Sequence, residues 1–151
     1  MTTHDPSYEP SPINWVREHV LQMEATGAPV DTPMGKPVIV VAYRGRTSGL
    51  LRKTAVMRVE HGGSYALVAS KGGARRNPEW FNNVVEHPEI EVQDGTARRV
   101  MRARELSGLE RTLWWERAVA AFPPYADYQD RTDRIIPVLL AEPAAASGST
   151  P

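Results

Sequence analysis

The sequence predicts an α+β fold in which a mostly antiparallel, curled or closed sheet carries helices around it. β-branched and other apolar runs recur at short intervals between residues 38 and 141, as expected for neighbouring strands. Short turns at 61–64 and at the Asp-Gly pair 94–95 join several of these runs. Tight turns imply antiparallel pairing, so a doubly wound parallel fold is not expected.

Length and composition set the first limits. The 151 residues suffice for one domain with its own core. The chain has no cysteine, which excludes disulfides, thiolate metal sites and thiol catalysis and fits a reducing cytosol. It has no run of about 18 apolar residues, so no transmembrane helix is expected. Its polar, acidic start does not resemble a signal peptide, and a cytoplasmic protein is therefore predicted.

One domain is predicted over residues 13–143, between tails at 1–12 and 144–151 that are expected to be disordered. Ile13, Val20 and Met23 have helical spacing, and Gly27 is expected to end this first helix at about residue 26.

Boundary residues place the later elements. Asn77 is the expected N-cap of a helix with Pro78 at its first position, and Ser107 with Glu110 forms a predicted capping box. The predicted elements are strands at 38–43, 55–60 and 65–70, a helix from 78 to about 87, strands at 90–93 and 97–106, a helix at 107–121, a short helical segment at 123–133 and a strand at 135–141.

Positive charge is concentrated in one part of a chain whose net charge is zero. Residues 36–76 carry nine basic residues against one acid, which favours a local anionic ligand. The first cluster is RGRTSGLLRKT, 44–54, where glycines permit tight turns and Arg46 and Arg52 have forked donors suited to phosphate or carboxylate. The spacing matches neither a Walker loop nor a dinucleotide fingerprint, and a solvated hairpin loop is the alternative interpretation.

A second cluster of the same composition, SKGGARRNP, spans residues 70–78. Its glycines and basic residues precede a predicted helix N-terminus, whose backbone N–H groups attract anions. Because both clusters follow predicted strands, we expect them to converge on one anion.

A third cluster, 122–134, contains Phe122, Tyr125 and Tyr128 at three-residue spacing. Such a row predicts an aromatic wall over a flat ligand, with phenols as hydrogen-bond or proton donors. The alternative is that one of the rings packs in the core. Asp133 and Arg134 are expected to form structural pairs.

Other functional classes lack their motifs. The four histidines show no metal-ligand spacing, and Ser48 and Ser70 have no GxSxG context. Paired carboxylates of the glycosidase kind are not visible. Basic loops with aromatics suit single-stranded nucleic acid, but zero net charge and the acidic surroundings of the aromatics argue against it.

Together the three clusters resemble the deazaflavin-dependent nitroreductase family of actinobacteria, a group of split β-barrel oxidoreductases. The similarity spans about residues 13–143. It rests on GRTSG at 45–49 with Arg52, on ASKGG at 69–73 and NPEW at 77–80, and on YADYQ at 125–129 with TDR at 132–134 and IP at 136–137. The resemblance implies a split β-barrel of FMN-binding type with flanking helices, and coenzyme F-420, a 5-deazaflavin, as the bound anion.

The resemblance also implies site residues. The first loop would hold the phosphate or oligoglutamate tail and the second would run along the deazaflavin, while Ser70 or Tyr128 would donate a proton or hydrogen bond to a developing oxyanion. Phe122, Tyr125 and Tyr128 would bind the substrate. The implied coenzyme-binding residues are Arg46, Thr47, Ser48, Arg52, Thr54, Ser70, Lys71, Gly72, Gly73, Asn77, Pro78 and Trp80.

The implied activity is hydride transfer from the reduced coenzyme to a quinone, a nitroaromatic or another flat electrophile. Two positions depart from the family pattern: Thr47 stands where many relatives carry Lys, and Phe122 where nitroimidazole-activating members carry Tyr. The second departure argues against activation of nitroimidazole prodrugs, though not against coenzyme binding.

Two alternatives stay open, an FMN-dependent oxidase or reductase on the same barrel and a non-catalytic coenzyme carrier. The tyrosine pair favours an enzyme, because a carrier needs no phenols over an open ring face. A monomer is expected. Trp15 and a spare apolar edge of the first helix suggest weak peripheral contact with the inner face of the cell membrane.

Overall fold

The computed structural model describes residues 14–27 and 37–144, with side chains from residue 17 onward. The tail predicted at 1–12, and all but the first residue of the tail predicted at 144–151, lie outside the described residues. The elements are α1 (Asn14–Thr26), β1 (Val38–Arg44), β2 (Leu51–Met57), β3 (Glu60–His61), β4 (Ser64–Val68), α2 (Glu79–Glu86), β5 (Glu89–Asp94), β6 (Ala97–Glu105), α3 (Gly108–Ala121), α4 (Pro124–Asp130) and β7 (Val138–Pro143).

The described strands form one sheet in the order β2-β1-β5-β6-β7-β4-β3. Every neighbouring pair is antiparallel, and the helices lie around this sheet. The α+β prediction is therefore confirmed. The Asp-Gly pair at 94–95 forms the predicted β5–β6 turn, because the glycine accepts a positive φ of 63°.

The sheet curls until strands from its two ends meet. The N–H of Ala66 on β4 donates to the carbonyl of Val59, which follows β2, at 2.9 Å. Beside this bond, the Asp94 carboxylate accepts from Arg58 at 2.9 Å and from the Tyr65 hydroxyl at 2.7 Å. These contacts tie β4 and β5 to the segment after β2 and give the sheet its half-barrel shape.

The core consists of three apolar clusters. The largest fills one face of the sheet and is covered by α2, a second joins α3 and α4 to the strands, and a third lies beneath α1. Representative members are Ile39, Leu67, Met101 and Val84 in the first, Trp114, Ala118 and Ile136 in the second, and Val20, Met23 and Val40 in the third.

The side-chain hydrogen bonds predicted for two helix caps are not formed. Pro78 is the N-cap of α2, with extended φ −61° and ψ 153°, and the side chain of Asn77 instead accepts from Arg134 at 2.7 Å. Ser107 is the N-cap of α3 but makes no side-chain cap bond. Glu110, the other half of the predicted box, binds Arg104 at 2.6 Å. In both places, the side-chain oxygen that was expected to accept a hydrogen bond from its own helix N-terminus accepts one from an arginine outside that helix.

None of the helices among the described residues combines the length and the apolar character needed to cross a bilayer.

Candidate functional site

The first basic cluster forms a closed turn between β1 and β2. The N–H of Gly49, at φ +69°, donates to the carbonyl of Gly45 at 2.8 Å. The Ser48 hydroxyl accepts from the N–H of Leu50 at 3.1 Å. A Cβ atom on Gly45 would lie 2.7 Å from Ser48 Oγ, so a side chain there would displace the Ser48 hydroxyl from its bond with Leu50. The turn leaves Arg46 exposed.

Two further basic side chains of this cluster, Arg52 and Lys53, lie on opposite faces of β2. The strand begins at residue 51 rather than at the predicted 55, so Arg52 and Lys53 alternate across it. Lys53 is buried and its ammonium pairs with Glu24 of α1. Arg52 faces the other side, 3.7 Å from the carboxylate of Glu79 on α2, and Thr54 follows on the same face. The strand therefore places Arg52, but not Lys53, beside α2.

Helix α2 anchors the first turn through a buried amide. Asn83 Oδ1 accepts from the N–H of Arg46 at 2.8 Å, and Asn83 Nδ2 donates to the carbonyl of Glu79 at 3.0 Å. Such a doubly bonded buried amide fixes the turn on the helix. Arg52 Cδ lies 3.7 Å from the position of a Cβ on Gly45. The backbone of Arg46 and the side chain of Arg52 thus meet at one turn.

The second basic cluster forms a left-handed turn between β4 and α2. Lys71, Gly72 and Gly73 have φ values of +46°, +64° and +81°, a conformation that is strained for lysine. Ser70 is only 7% exposed, whereas Lys71 and Gly72 face solvent. A right-handed residue followed by left-handed ones aims successive backbone N–H groups into a concavity that suits an anion.

The guanidinium of Arg134 binds the second turn. Nε donates to the carbonyl of Ala74 at 2.7 Å, and one terminal nitrogen donates to the carbonyl of Ser70 at 2.7 Å. The other terminal nitrogen donates to the carbonyl of Ala69 at 3.2 Å and to Asn77 Oδ1 at 2.7 Å. Burial lowers the pKa of this guanidinium. The predicted structural role of Arg134 therefore uses carbonyl and amide oxygens as partners.

Phe122 and α4 form the aromatic cluster. The centroids of Phe122 and Tyr125 are 5.0 Å apart, and those of Tyr125 and Tyr128 are 6.1 Å apart, both edge to face. Tyr125 is 3% exposed, and burial raises the pKa of its phenol, so it has no open side for a ligand. Phe122 and Tyr128 are half-buried. Core packing, the alternative for one of the three rings, thus describes Tyr125.

The structure brings most of the predicted residues to two turns and one helix. Trp80 departs from this pattern, because it is 7% exposed and packs in the sheet core. The backbone of α4 touches the second turn at Gly73, so the aromatic cluster borders that turn. The assignment of individual residues to coenzyme or substrate stays a prediction.

Sequence reasoning missed the anchoring role of Asn83 and the partners of Arg134. The bond from Arg46 to Asn83 spans 37 residues, and those of Arg134 span 57 to 65 residues. No local spacing marks contacts of that range. The only available signal was the position of Arg134 just after the aromatic cluster.

A family model described as F420H(2)-dependent quinone reductase matches residues 15–143. The chain belongs to this family. A putative F420H(2)-dependent quinone reductase of Mycobacterium tuberculosis is 32% identical over 107 residues, which cover 71% of this chain and 90% of the relative. A second F420H(2)-dependent quinone reductase of that species is 30% identical over 111 residues, covering 72% and 74%. The predicted resemblance is confirmed.

Two solved structures share the fold of this quinone reductase family member. An F420-H2 dependent reductase, FDR-A, is 48% identical with a TM-score of 0.68, covering 70% of this chain and 94% of its own. A chain solved as a domain-swapped dimer is 44% identical with a TM-score of 0.70, covering 87% and 100%. The split β-barrel prediction is confirmed.

The residues of the site fit coenzyme F-420, the cofactor of this family. Arg46 and Lys71 are exposed cations on the two turns. A Cβ on Gly49 or Gly72 would meet no atom within 4 Å, so both turns are open on their outer side. Forked and ammonium donors beside open backbone suit a phosphate and carboxylate tail. Among the described residues, no group of side chains could hold a metal ion.

Proposed function

We propose that this chain binds reduced coenzyme F-420 against its two basic turns and reduces a quinone beneath α4. The observation that carries this proposal is the convergence of the turns on one helix. The first turn is bonded to Asn83 of α2, and the second turn leads directly into the same helix at Pro78.

The two turns have separate tasks in this proposal. Arg46 and Arg52 form charge-assisted hydrogen bonds with the anionic tail, because forked guanidinium donors match phosphate and carboxylate oxygens. The hydroxyls of Thr47, Ser48 and Thr54 add neutral donors on the same turn and strand. Lys71 adds a third cation, and the backbone of Gly72 and Gly73 permits close approach of the flat ring.

Reduced coenzyme F-420, when bound, supplies a two-electron hydride donor, while the protein supplies orientation. The rings of Phe122 and Tyr128 border the quinone and exclude water from it. Ser70 or Tyr128 donates a hydrogen bond or proton to the quinone oxygen, where negative charge develops. Because Phe122 has no hydroxyl and Tyr125 is buried, the half-buried Tyr128 supplies the phenol of the row, which favours quinones over nitroimidazole prodrugs.

A fluorescence titration tests the coenzyme assignment. The purified protein is titrated with coenzyme F-420, FMN and NADPH at low and moderate salt, and turnover is then measured with a naphthoquinone. We expect binding of the deazaflavin alone, weakened by salt, followed by quinone reduction. Preference for FMN would select the alternative oxidase branch. Coenzyme binding without turnover of any quinone or nitroaromatic would select the carrier.

A monomer in the cytoplasm, with weak contact between α1 and the membrane, remains our proposal for the state of the protein. A 44% identical chain is solved as a domain-swapped dimer, so a dimer is the alternative to the monomer. Light scattering measures the mass in solution. Co-sedimentation with anionic vesicles, for the full chain and Leu21→Gln, tests the membrane contact, because Leu21 is an exposed apolar residue of α1 whose replacement leaves the core intact. The contact is rejected if both sediment equally.

A further inference from the structure

Arg134 occupies a junction between the second turn and the segment after α4. Its guanidinium donates to the carbonyls of Ala69, Ser70 and Ala74 and to the side chain of Asn77, at 2.7–3.2 Å. Ser70 and Ala74 lie immediately before and after the left-handed residues 71–73. One side chain therefore holds both ends of the strained part of the turn.

The backbone of Arg134 is held by α4. Gln129 Nε2 donates to the carbonyl of Arg134 at 2.8 Å, and Gln129 Oε1 accepts from the N–H of Ile136 at 3.0 Å. Gln129 is the neighbour of Tyr128 on this helix. A continuous chain of hydrogen bonds thus runs from the helix of Tyr128, through Arg134, to the turn of Ser70.

Strain makes the turn dependent on these bonds. Lys71 takes a left-handed conformation that L-residues other than glycine avoid. Such a conformation persists where surrounding contacts over-determine it. The turn has two backbone hydrogen bonds of its own, from the N–H of Gly73 to the carbonyl of Ser70 at 2.9 Å and from the N–H of Ala74 to that of Lys71 at 3.1 Å. The guanidinium adds the bonds that tie the turn to the segment after α4, and we expect the strained turn to loosen without them.

We propose that Arg134 is a positioning residue for hydride transfer, which holds the turn of Ser70 in register with Tyr128. This inference rests on the proposed function. Arg134 acts through the carbonyls it binds, and these aim the Ser70 side chain and the backbone N–H groups of the turn. A lysine cannot replace it, because an ammonium group lacks the planar fork that reaches four acceptors.

The first experiment uses the coenzyme-free protein. Amide hydrogen exchange is compared for the unmodified chain, Arg134→Lys and Arg134→Ala. We expect faster exchange in residues 69–77 of both variants, with strands β1 and β5 unchanged. Arg104→Lys is the matched control, because Arg104 also donates four hydrogen bonds, to Glu110 and Glu142 on other elements.

The second experiment measures coenzyme affinity and quinone turnover. We expect Arg134→Lys to lower kcat by about 10²-fold, the order of loss caused by a 1 Å misplacement of reacting groups. Coenzyme Kd should rise by a smaller factor, because the loosened second turn weakens its contact with the coenzyme while Arg46 and Arg52 still hold the tail. In Arg134→Ala, added guanidinium ion below denaturing concentration should restore part of the rate. Ammonium at equal ionic strength should not, and Arg104→Lys should keep the unmodified kcat.

The outcomes separate this inference from the function on which it rests. Unchanged exchange at 69–77, or faster exchange with full kcat, overturns the positioning role. A kcat loss without guanidinium rescue in Arg134→Ala also overturns it, because a general structural defect would behave in that way. An unmodified chain that neither binds coenzyme F-420 nor reduces a quinone overturns the proposed function itself, whatever the exchange experiment gives.

Discussion

A Cβ atom placed on Gly73 would lie 2.7 Å from the carbonyl oxygen of Tyr128. The second turn and α4 therefore touch backbone to backbone, and only a residue without a side chain allows that approach. The contact joins the part of the site assigned to the coenzyme to the part assigned to the substrate.

Gly73→Ala should disturb turnover more than Gly72→Ala. Both glycines have positive φ, +81° and +64°, so both substitutions cost about 1 kcal/mol or more in backbone strain. Only at Gly73 does the added methyl group meet the backbone of Tyr128. We expect Gly73→Ala to lose more unfolding free energy than Gly72→Ala, because its methyl group also overlaps the backbone of Tyr128. Under conditions where both variants are folded, we expect the larger fall in kcat for Gly73→Ala. Equal kcat values would show that the contact has no role in catalysis.

Ionisation of the Tyr65 hydroxyl should lower the stability of the fold at alkaline pH. Burial first, and then the hydrogen bond to Asp94, raises the pKa of Tyr65 from 10.0 to about 12. A raised pKa in the folded state means that the neutral phenol stabilises the fold. That contribution is complete below pH 10 and is lost as pH rises towards 12.

Tyr65→Phe isolates this contribution from that of the other tyrosines. The unfolding free energy of each protein is measured by urea denaturation at a series of pH values. We expect the advantage of the unmodified chain over Tyr65→Phe to shrink above pH 10. A constant difference up to pH 12 would contradict a raised pKa for Tyr65.

Local chemistry made much of the fold predictable. The Asp-Gly pair at 94–95 forms its turn because both strands of the β5–β6 hairpin are close in sequence. The two glycine-rich basic clusters were recognisable because the residues that form each turn and carry its charge are close together in the sequence. The caps predicted at Asn77 and Glu110 were wrong because arginines bind the same acceptors. Arg134 lies 57 residues from Asn77 along the chain, and Arg104 lies on β6, the strand before α3.

The direction in which each side chain of β2 points could not be predicted from composition. Arg52 and Lys53 look equivalent in RGRTSGLLRKT, and only the register of β2 on β1 decides which one faces α2. The role of Arg134 was equally hidden, because its acceptors are mainly backbone carbonyls, which leave no mark in the sequence.

Tyr128→Phe should lower turnover while leaving coenzyme affinity nearly unchanged. The substitution removes the phenol assigned to the quinone oxygen and keeps the ring that borders Phe122, 6.2 Å away. Loss of one such donor costs on the order of 10²-fold in kcat in other oxyanion sites. Tyr125→Phe is the control, because that phenol is buried and should affect stability more than kcat. A collapse of coenzyme affinity in Tyr128→Phe would move Tyr128 to the coenzyme side.

Arg52→Gln should weaken coenzyme binding, whereas Lys53→Gln should lower stability, although the two residues are adjacent. Arg52 lies against the first turn, so its loss should raise the coenzyme Kd and flatten the salt dependence of binding. Lys53 is the buried partner of Glu24 beneath α1. Its loss should lower the unfolding free energy by about 3 kcal/mol, because breaking a buried pair leaves an uncompensated charge.

The two variants are compared by coenzyme titration and by urea unfolding of the same preparations. We expect Arg52→Gln to bind weakly with little change in stability, and Lys53→Gln to bind normally below its unfolding transition. If Lys53→Gln weakened binding as much as Arg52→Gln, the coenzyme would be responding to the charge of the whole cluster. The face of β2 that a side chain occupies would then not decide its role, and the assignment of the tail to the α2 side would fall.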